Sequence, residues 1–160
     1  MSGILAALCV ARYGLSGRAL VDAVFVSAIV LLSAIDIDRR VLPNVIIGPT
    51  FAFVLFAQIA LSPDRTLEWL LAALGAALFF FVPLLVYPAG IGMGDVKMAA
   101  LLGAALGRTV IFALLAGLVA AAAFAVLVLA REGLTARRKP LPFGPFLAFG
   151  AILAIFLGAR

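Results

Sequence analysis

Residues 23–43 read "AVFVSAIVLLSAIDIDRRVLP". From Ala23 to Ile35 nothing is charged, and then Asp36, Asp38, Arg39 and Arg40 follow in quick succession before Pro43. Such an apolar run, ending abruptly in charge and proline, reads as a helix that crosses hydrocarbon and stops at its edge. Comparable runs recur along the whole chain, so this is not one removable signal peptide ahead of a soluble body. Of the 160 residues, 67% are hydrophobic and only 12% charged, and the mean hydropathy is +1.32. These values lie far outside the make-up of soluble domains and describe an integral membrane protein.

A span needs roughly 20 mainly apolar residues. On that scale, helices are expected near 19–35, 45–61, 67–87, 95–107, 109–130 and 143–158, of which the one beginning at Asp95 is short. The stretch "GILAALCVA" at 3–11 has the length of a partial segment or an interfacial helix. The connectors "DIDRRVLP", "SPDRT", "YPAGIGMG", "GRT" and "REGLTARRKPLP" each carry proline, glycine or charge, where helices break. No internal repeat or low-complexity segment interrupts this pattern. The expected fold is all-α: a single polytopic transmembrane helix bundle over residues 1–160 with six spans.

The net charge of +5 does not point to nucleic acid, because the twelve Lys and Arg residues are scattered at the ends of apolar runs. With the first, third and fifth connectors on one side, that side holds Arg39, Arg40, Lys97, Arg131, Arg137, Arg138 and Lys139. The opposite side holds Arg12, Arg18, Arg65, Arg108 and Arg160. The richer side is expected to be cytoplasmic. Asp36 and Asp95 then lie at the cytoplasmic ends of their helices and become neighbours if those helices pack together.

Absent residues exclude much chemistry. The chain has no His and one Cys, Cys9, so Cys/His zinc sites, Ser-His-Asp triads, Cys-His dyads and intrachain disulfides are ruled out. No metal or cofactor is expected. Seven acids remain: Asp22, Asp36, Asp38, Asp64, Glu68, Asp95 and Glu132.

Asp36 ends an apolar run, and Asp95 begins a helix after a glycine-rich connector. A charge at the bilayer centre costs ~2.5–3.5 kcal/mol on insertion scales, less near the interface, and marks a functional candidate. For Asp36 the structural alternative is a membrane-edge acid paired with Arg40 four residues on. Ser33 shares its face and can either bond the carboxylate or satisfy a backbone carbonyl. Asp38 is off that face and is expected to be solvated. Asp95 suits an N-cap, a role compatible with catalysis. Gly90, Gly92 and Gly94 precede it in "AGIGMGDVKMAALLGAALG" (89–107), and one glycine would suffice for a turn. The extra glycines leave room for an extended chain to approach the carboxylate. Lys97 cannot share the face of Asp95 two residues earlier. It either snorkels to the interface or holds the loop and favours the ionised acid.

Three motifs together, "AIDIDRRVLPN" at 34–44, "GMGDVKMAALLGAALG" at 92–107 and "LPFGPFLAFGA" at 141–151, resemble the type IV prepilin peptidase family of Gly-x-Gly-Asp membrane aspartyl proteases. The resemblance runs from about residue 10 to the C-terminus. It implies that the family's first catalytic aspartate, which precedes a hydrophobic-Pro element ending here at Pro43, falls on Asp36. The second falls on Asp95, with Gly92, Gly94 and Lys97 supporting it. The bifunctional members carry an additional N-terminal region with paired cysteines and N-methyltransferase activity. Since this chain begins just before the peptidase core and Cys9 stands alone, the resemblance implies the short form, without that second activity.

Two carboxyls sharing one proton can activate water and protonate a leaving amine. The implied substrates are prepilins or pseudopilins, cut at a glycine between a basic leader and an apolar helix. The implied location is the bacterial cytoplasmic membrane, with membrane lipid around the bundle and the cut at the cytoplasmic face. Nothing in the sequence fixes the oligomeric state. Other readings compete. Buried carboxylates also mark ion pathways in transporters and channels, although the inverted repeats common there are not visible. Presenilin-like proteases share Gly-x-Gly-Asp, but their Pro-Ala-Leu element is not matched by "LPFGP". A Ser33/Lys97 peptidase would need a soluble catalytic domain, and a purely structural subunit leaves both acids unexplained. The prolines of "KPLPFGP" either stiffen the entry to the last helix or pack it beside the acids.

Overall fold

The run that ends at Ile35 folds as a helix that does not stop there. In the computed structural model, which describes residues 17–39, 41–86, 92–132 and 142–157, α1 extends over Gly17–Arg39. Its buried face is Val21, Phe25, Ile29, Leu32 and Asp36, a helical repeat in which the aspartate occupies the next core position. The expected end at residue 35 was therefore early: hydropathy marks where apolar side chains stop, whereas the backbone carries Asp36 and Asp38 on as helix.

Five more helices follow among the described residues: α2 (Asn44–Leu61), α3 (Thr66–Val86), α4 (Met93–Leu106), α5 (Val110–Glu132) and α6 (Gly144–Leu157). Pro63–Arg65 and Gly107–Thr109 form single 3-10 turns. Prolines 49 and 83 lie inside α2 and α3 without ending them, as membrane helices tolerate.

Among the described residues, four stretches are long and apolar enough to cross a membrane: Gly17–Arg39, Asn44–Leu61, Pro63–Val86 and Met93–Arg131, the last containing both α4 and α5. Helix α6, at 14 residues, is shorter. The all-helical, multi-pass expectation is met. Six spans do not follow from helix length, because 14 residues rise only ~21 Å against a hydrocarbon core of ~30 Å. The 3–11 stretch, Cys9, Arg40, Gly90 and the basic cluster at 137–139 lie outside the described residues.

Helix α4 is central. Ten of its residues, mostly Ala, Leu and Gly, are buried, and it packs on α3, α2, α6 and α5. Helices α3, α2, α1, α6 and α5 form a ring around it, with α1 closing the arc between α2 and α6 and the slightest contact between α3 and α5. Small residues set the spacing. A Cβ on Gly103 would run into the backbone of Ala72, and one on Gly150 would run into the carbonyl of Ala113. Buried Gln58 of α2 donates to the Ala105 carbonyl of α4 at 3.0 Å, which satisfies a polar group that apolar surroundings would otherwise penalise. Outward faces carry large apolar side chains, Phe56, Leu71 and Val119 among them.

Candidate active site

Chain direction places the C-terminal end of α1 and the N-terminal ends of α2, α4 and α6 at one end of the bundle. Asp36 and Asp95 are both there. Asp36 is 6% exposed and Asp95 9%, and the two lie close enough for the charge of one to act on the other. Such burial of two acids within range of each other is costly and needs compensation from nearby donors.

Each acid receives one backbone N–H, and each N–H belongs to the start of a 14-residue helix. The amide of Gly92, the residue preceding α4, donates to Asp95 Oδ2 at 3.2 Å. Asp95 is therefore the third residue of α4, reaching back to the cap in half of a capping box. The expectation that it would itself be the N-cap is corrected: the helix begins two residues earlier, at Met93, because the carboxylate bonds backwards to Gly92. Gly144 at the start of α6 donates its N–H to Asp36 Oδ2 at 2.9 Å. The positive end of that helix thus faces a carboxylate from another helix.

Gly144 has to be glycine for this contact. A Cβ there would sit 2.7 Å from Asp36 Oδ2 and 3.1 Å from Asp36 Cβ. Ser33 donates to the Ile29 carbonyl at 2.7 Å and also lies 3.4 Å from the Gly144 carbonyl, so the serine satisfies its own helix and touches the same peptide segment. Gly144 is the residue that sequence reasoning did not single out. Its signal was present in "LPFGP", where a glycine between two prolines opens the last helix.

The two glycines before Asp95 differ. Neither has positive φ, which among the described glycines belongs to Gly107 alone, so a left-handed turn does not explain them. At Gly94 the space of the missing side chain is filled: an added Cβ would lie 2.8 Å from Leu42 Cβ and 3.1 Å from its Cδ1. Among the described residues, at Gly92 it would meet only Asp95 Oδ2 at 3.6 Å and Gly94 N at 3.9 Å. Room beside the acid therefore exists at Gly92, whereas at Gly94 the absent side chain admits Leu42.

Lys97 spans the gap between α4 and α2, donating to Asn44 Oδ1 at 2.8 Å. It ties down the loop and does not simply snorkel. Pro43 immediately precedes α2, and its carbonyl accepts the amides of Ile46 and Ile47 at 3.1 and 3.2 Å. Asp38 is exposed, 3.8 Å from Arg39. Among the described residues no cluster of three or more metal-ligating side chains occurs.

The chain's relatives can now be set beside this geometry. A profile of the type IV leader peptidase family matches residues 23–128, a segment that contains both acids. The chain is 34% identical over 152 residues to a protein named prepilin leader peptidase/N-methyltransferase from Bacillus subtilis (strain 168), covering 92% of this chain and 59% of that protein. To the protein of the same name from Burkholderia pseudomallei (strain 1026b) it is 36% identical over 171 residues, covering 98% of this chain and 52% of that one. The chain spans somewhat over half the length of these curated relatives. No solved structure matches it. A match across two-thirds of the sequence, joined by relatives aligned over more than nine-tenths of it, makes this chain a member of the type IV leader peptidase family.

Proposed function

We propose that this chain is a membrane aspartyl endopeptidase that removes the leader peptides of prepilins or pseudopilins at the cytoplasmic face of a bacterial inner membrane, with all six helices crossing or embedded in the bilayer. The observation that carries the proposal is the meeting of Asp36 and Asp95, buried, from two different helices, at one end of the bundle. Family membership supports the substrate class, and the excess of basic residues around that end supports the cytoplasmic side.

The chemistry follows from the pair. One carboxylate takes a proton from water as its oxygen attacks the scissile carbonyl, and the other, protonated, supports the developing oxyanion and then the leaving amine. The amides of Gly144 and Gly92 fix one oxygen of each carboxylate, which leaves the other oxygens to the water and the substrate. The open space at Gly92 is where an extended substrate backbone approaches Asp95. No step requires a metal, so activity is expected to survive chelators.

The test is to incubate membranes containing the chain with candidate prepilins and sequence the N-terminus of the product. Cleavage after glycine by the wild type, lost in Asp36→Asn and in Asp95→Asn while both variants insert normally, is the expected result. Full activity in either variant removes that residue from the mechanism. Activity in Asp36→Asn together with loss in Asp38→Asn moves the first acid by two residues.

A further inference from the structure

At the end of the bundle away from Asp36 and Asp95, the loosest joint of the ring opens into a groove between α3 and α5, with a cavity of about 740 Å³. That volume is within the range of small-molecule and cofactor sites. Its chemistry is divided by position. All four charged groups, Asp64, Arg65, Glu68 and Arg108, stand at one end, and the walls below are apolar, Leu71 and Phe79 from α3 facing Ile111 and Leu115 from α5. Those four apolar residues are about half exposed or more, at 58%, 49%, 66% and 54%, so the groove opens sideways to its surroundings and is not an enclosed core cavity.

From Leu67 to Phe79 the groove follows α3 for twelve residues, a rise of ~18 Å. One leaflet of hydrocarbon is ~15 Å, half of the ~30 Å core. A transmembrane helix of a partner would need a groove of twice that length. A molecule that is apolar for one leaflet and polar at one end only is a membrane lipid.

The charges at the mouth narrow the headgroup. Arg65 clamps Glu68 through two bonds of 3.0 and 2.7 Å, which leaves little of either group for a ligand. Arg108 keeps its side chain 86% exposed, with only a 3.6 Å approach to Glu68, and among the described residues Asp64 makes no ion pair. One available guanidinium and one available carboxylate at the same mouth complement a phosphate and an ammonium on the same ligand. A purely anionic headgroup would place its charge beside two carboxylates as well as two guanidiniums.

We infer that the α3–α5 groove is a site for one phosphatidylethanolamine of the leaflet opposite the acids, with acyl chain against Leu71, Gly75 and Ile111, phosphate at Arg108 and ammonium at Asp64. The lipid supplies the packing that α3 and α5 do not give each other. The inference does not depend on the proteolytic reading.

Two features make it testable. Trp69 is the only tryptophan of the chain, and its ring lies against Gly107, which lines the groove. Gly75 also lines the groove, and a Cβ added there meets no described residue within 4 Å, so Gly75→Leu starts its side chain in open space and directs its bulk into the groove. Purified, delipidated protein in detergent is titrated with phosphatidylethanolamine or phosphatidylcholine carrying brominated acyl chains, and quenching of Trp69 is read alongside the mass of the intact complex. Expected are one bound lipid, half-maximal quenching at least tenfold lower for the ethanolamine lipid than for the choline lipid, and loss of quenching in Gly75→Leu at unchanged Tm. Asp64→Asn should abolish the headgroup preference, and Arg108→Gln should weaken both lipids. Equal quenching in wild type and Gly75→Leu, no preference between the headgroups, or a second copy of the chain in place of lipid in the complex would each overturn the assignment.

Discussion

A methyl group at Gly144 cannot be added without parting the first turn of α6 from Asp36, whose carboxylate and Cβ occupy its volume. Displacements near 1 Å at a catalytic group cost on the order of 10²-fold in rate, so Gly144→Ala is expected to lower the cleavage rate by about that factor. It should leave KM for a prepilin nearly unchanged, because the substrate is still held elsewhere. A fall in Tm matching the fall in activity would assign Gly144 to packing alone. The two glycines before Asp95 make a contrasting pair. Gly92→Ala meets ordinary contacts only, so it should fold as the wild type does and lose cleavage to the extent that substrate passes there. Gly94→Ala presses on Leu42 and should cost ~1–3 kcal/mol of stability through overpacking, with partial recovery in the Gly94→Ala/Leu42→Gly double variant. Thermal melts in detergent beside cleavage rates separate the two positions. That glycines were needed near Asp95 was legible from the sequence. Which of them admits a side chain was not, because Leu42 reaches Gly94 only after α1, the connector and α2 have folded back on α4.

At the scale of elements, the apolar runs located all six described helices, and the errors were confined to their ends. Helix α1 continues to Arg39 because a helix keeps going where its side chains have already turned polar, and α4 begins at Met93 because Asp95 bonds back to the amide of Gly92. Asp36 sits on the buried stripe begun by Val21 and Phe25, and the spacing of that stripe was readable. That the start of α6 lies beside the acids was one of two readings of "KPLPFGP", whereas the bond from the Gly144 amide to Asp36 was not readable, since nothing in the sequence states which helices touch. The same holds for the close crossing of α5 and α6. A Cβ on Gly117 would lie 2.7 Å from the Phe146 carbonyl, and one on Gly150 would run into Ala113. Gly150→Leu is therefore expected to separate these helices, lowering Tm and cleavage in parallel, in contrast to the selective loss at Gly144. Between α4 and α2, the Lys97–Asn44 bond predicts coupling: Lys97→Met and Asn44→Ala should each slow cleavage modestly, and the double variant should be no slower than the worse single one. Additive losses would show that the two residues act separately.

At the scale of the whole molecule, the described residues form a ring of five helices around a sixth, and that central helix, α4, is short. Its far end is pinned among polar groups, where Arg108 and Glu68 meet beside Gly107, and from Gly107 back to Asp95 the helix rises only ~18 Å. A hydrocarbon layer of ~30 Å therefore extends roughly 12 Å beyond the acid unless the bilayer thins around the protein. Helix length thus fixes the depth of the chemistry. For the proposed peptidase, the scissile bond would have to descend below the headgroups, and water would have to follow it to a depth set by the surrounding lipid. Proteoliposomes of short-chain phospholipids should accordingly cleave faster than those of long-chain lipids at equal protein content, and rates independent of acyl length would mean that the acids already stand at the surface. Membrane thickness, on this geometry, would throttle the proposed proteolysis.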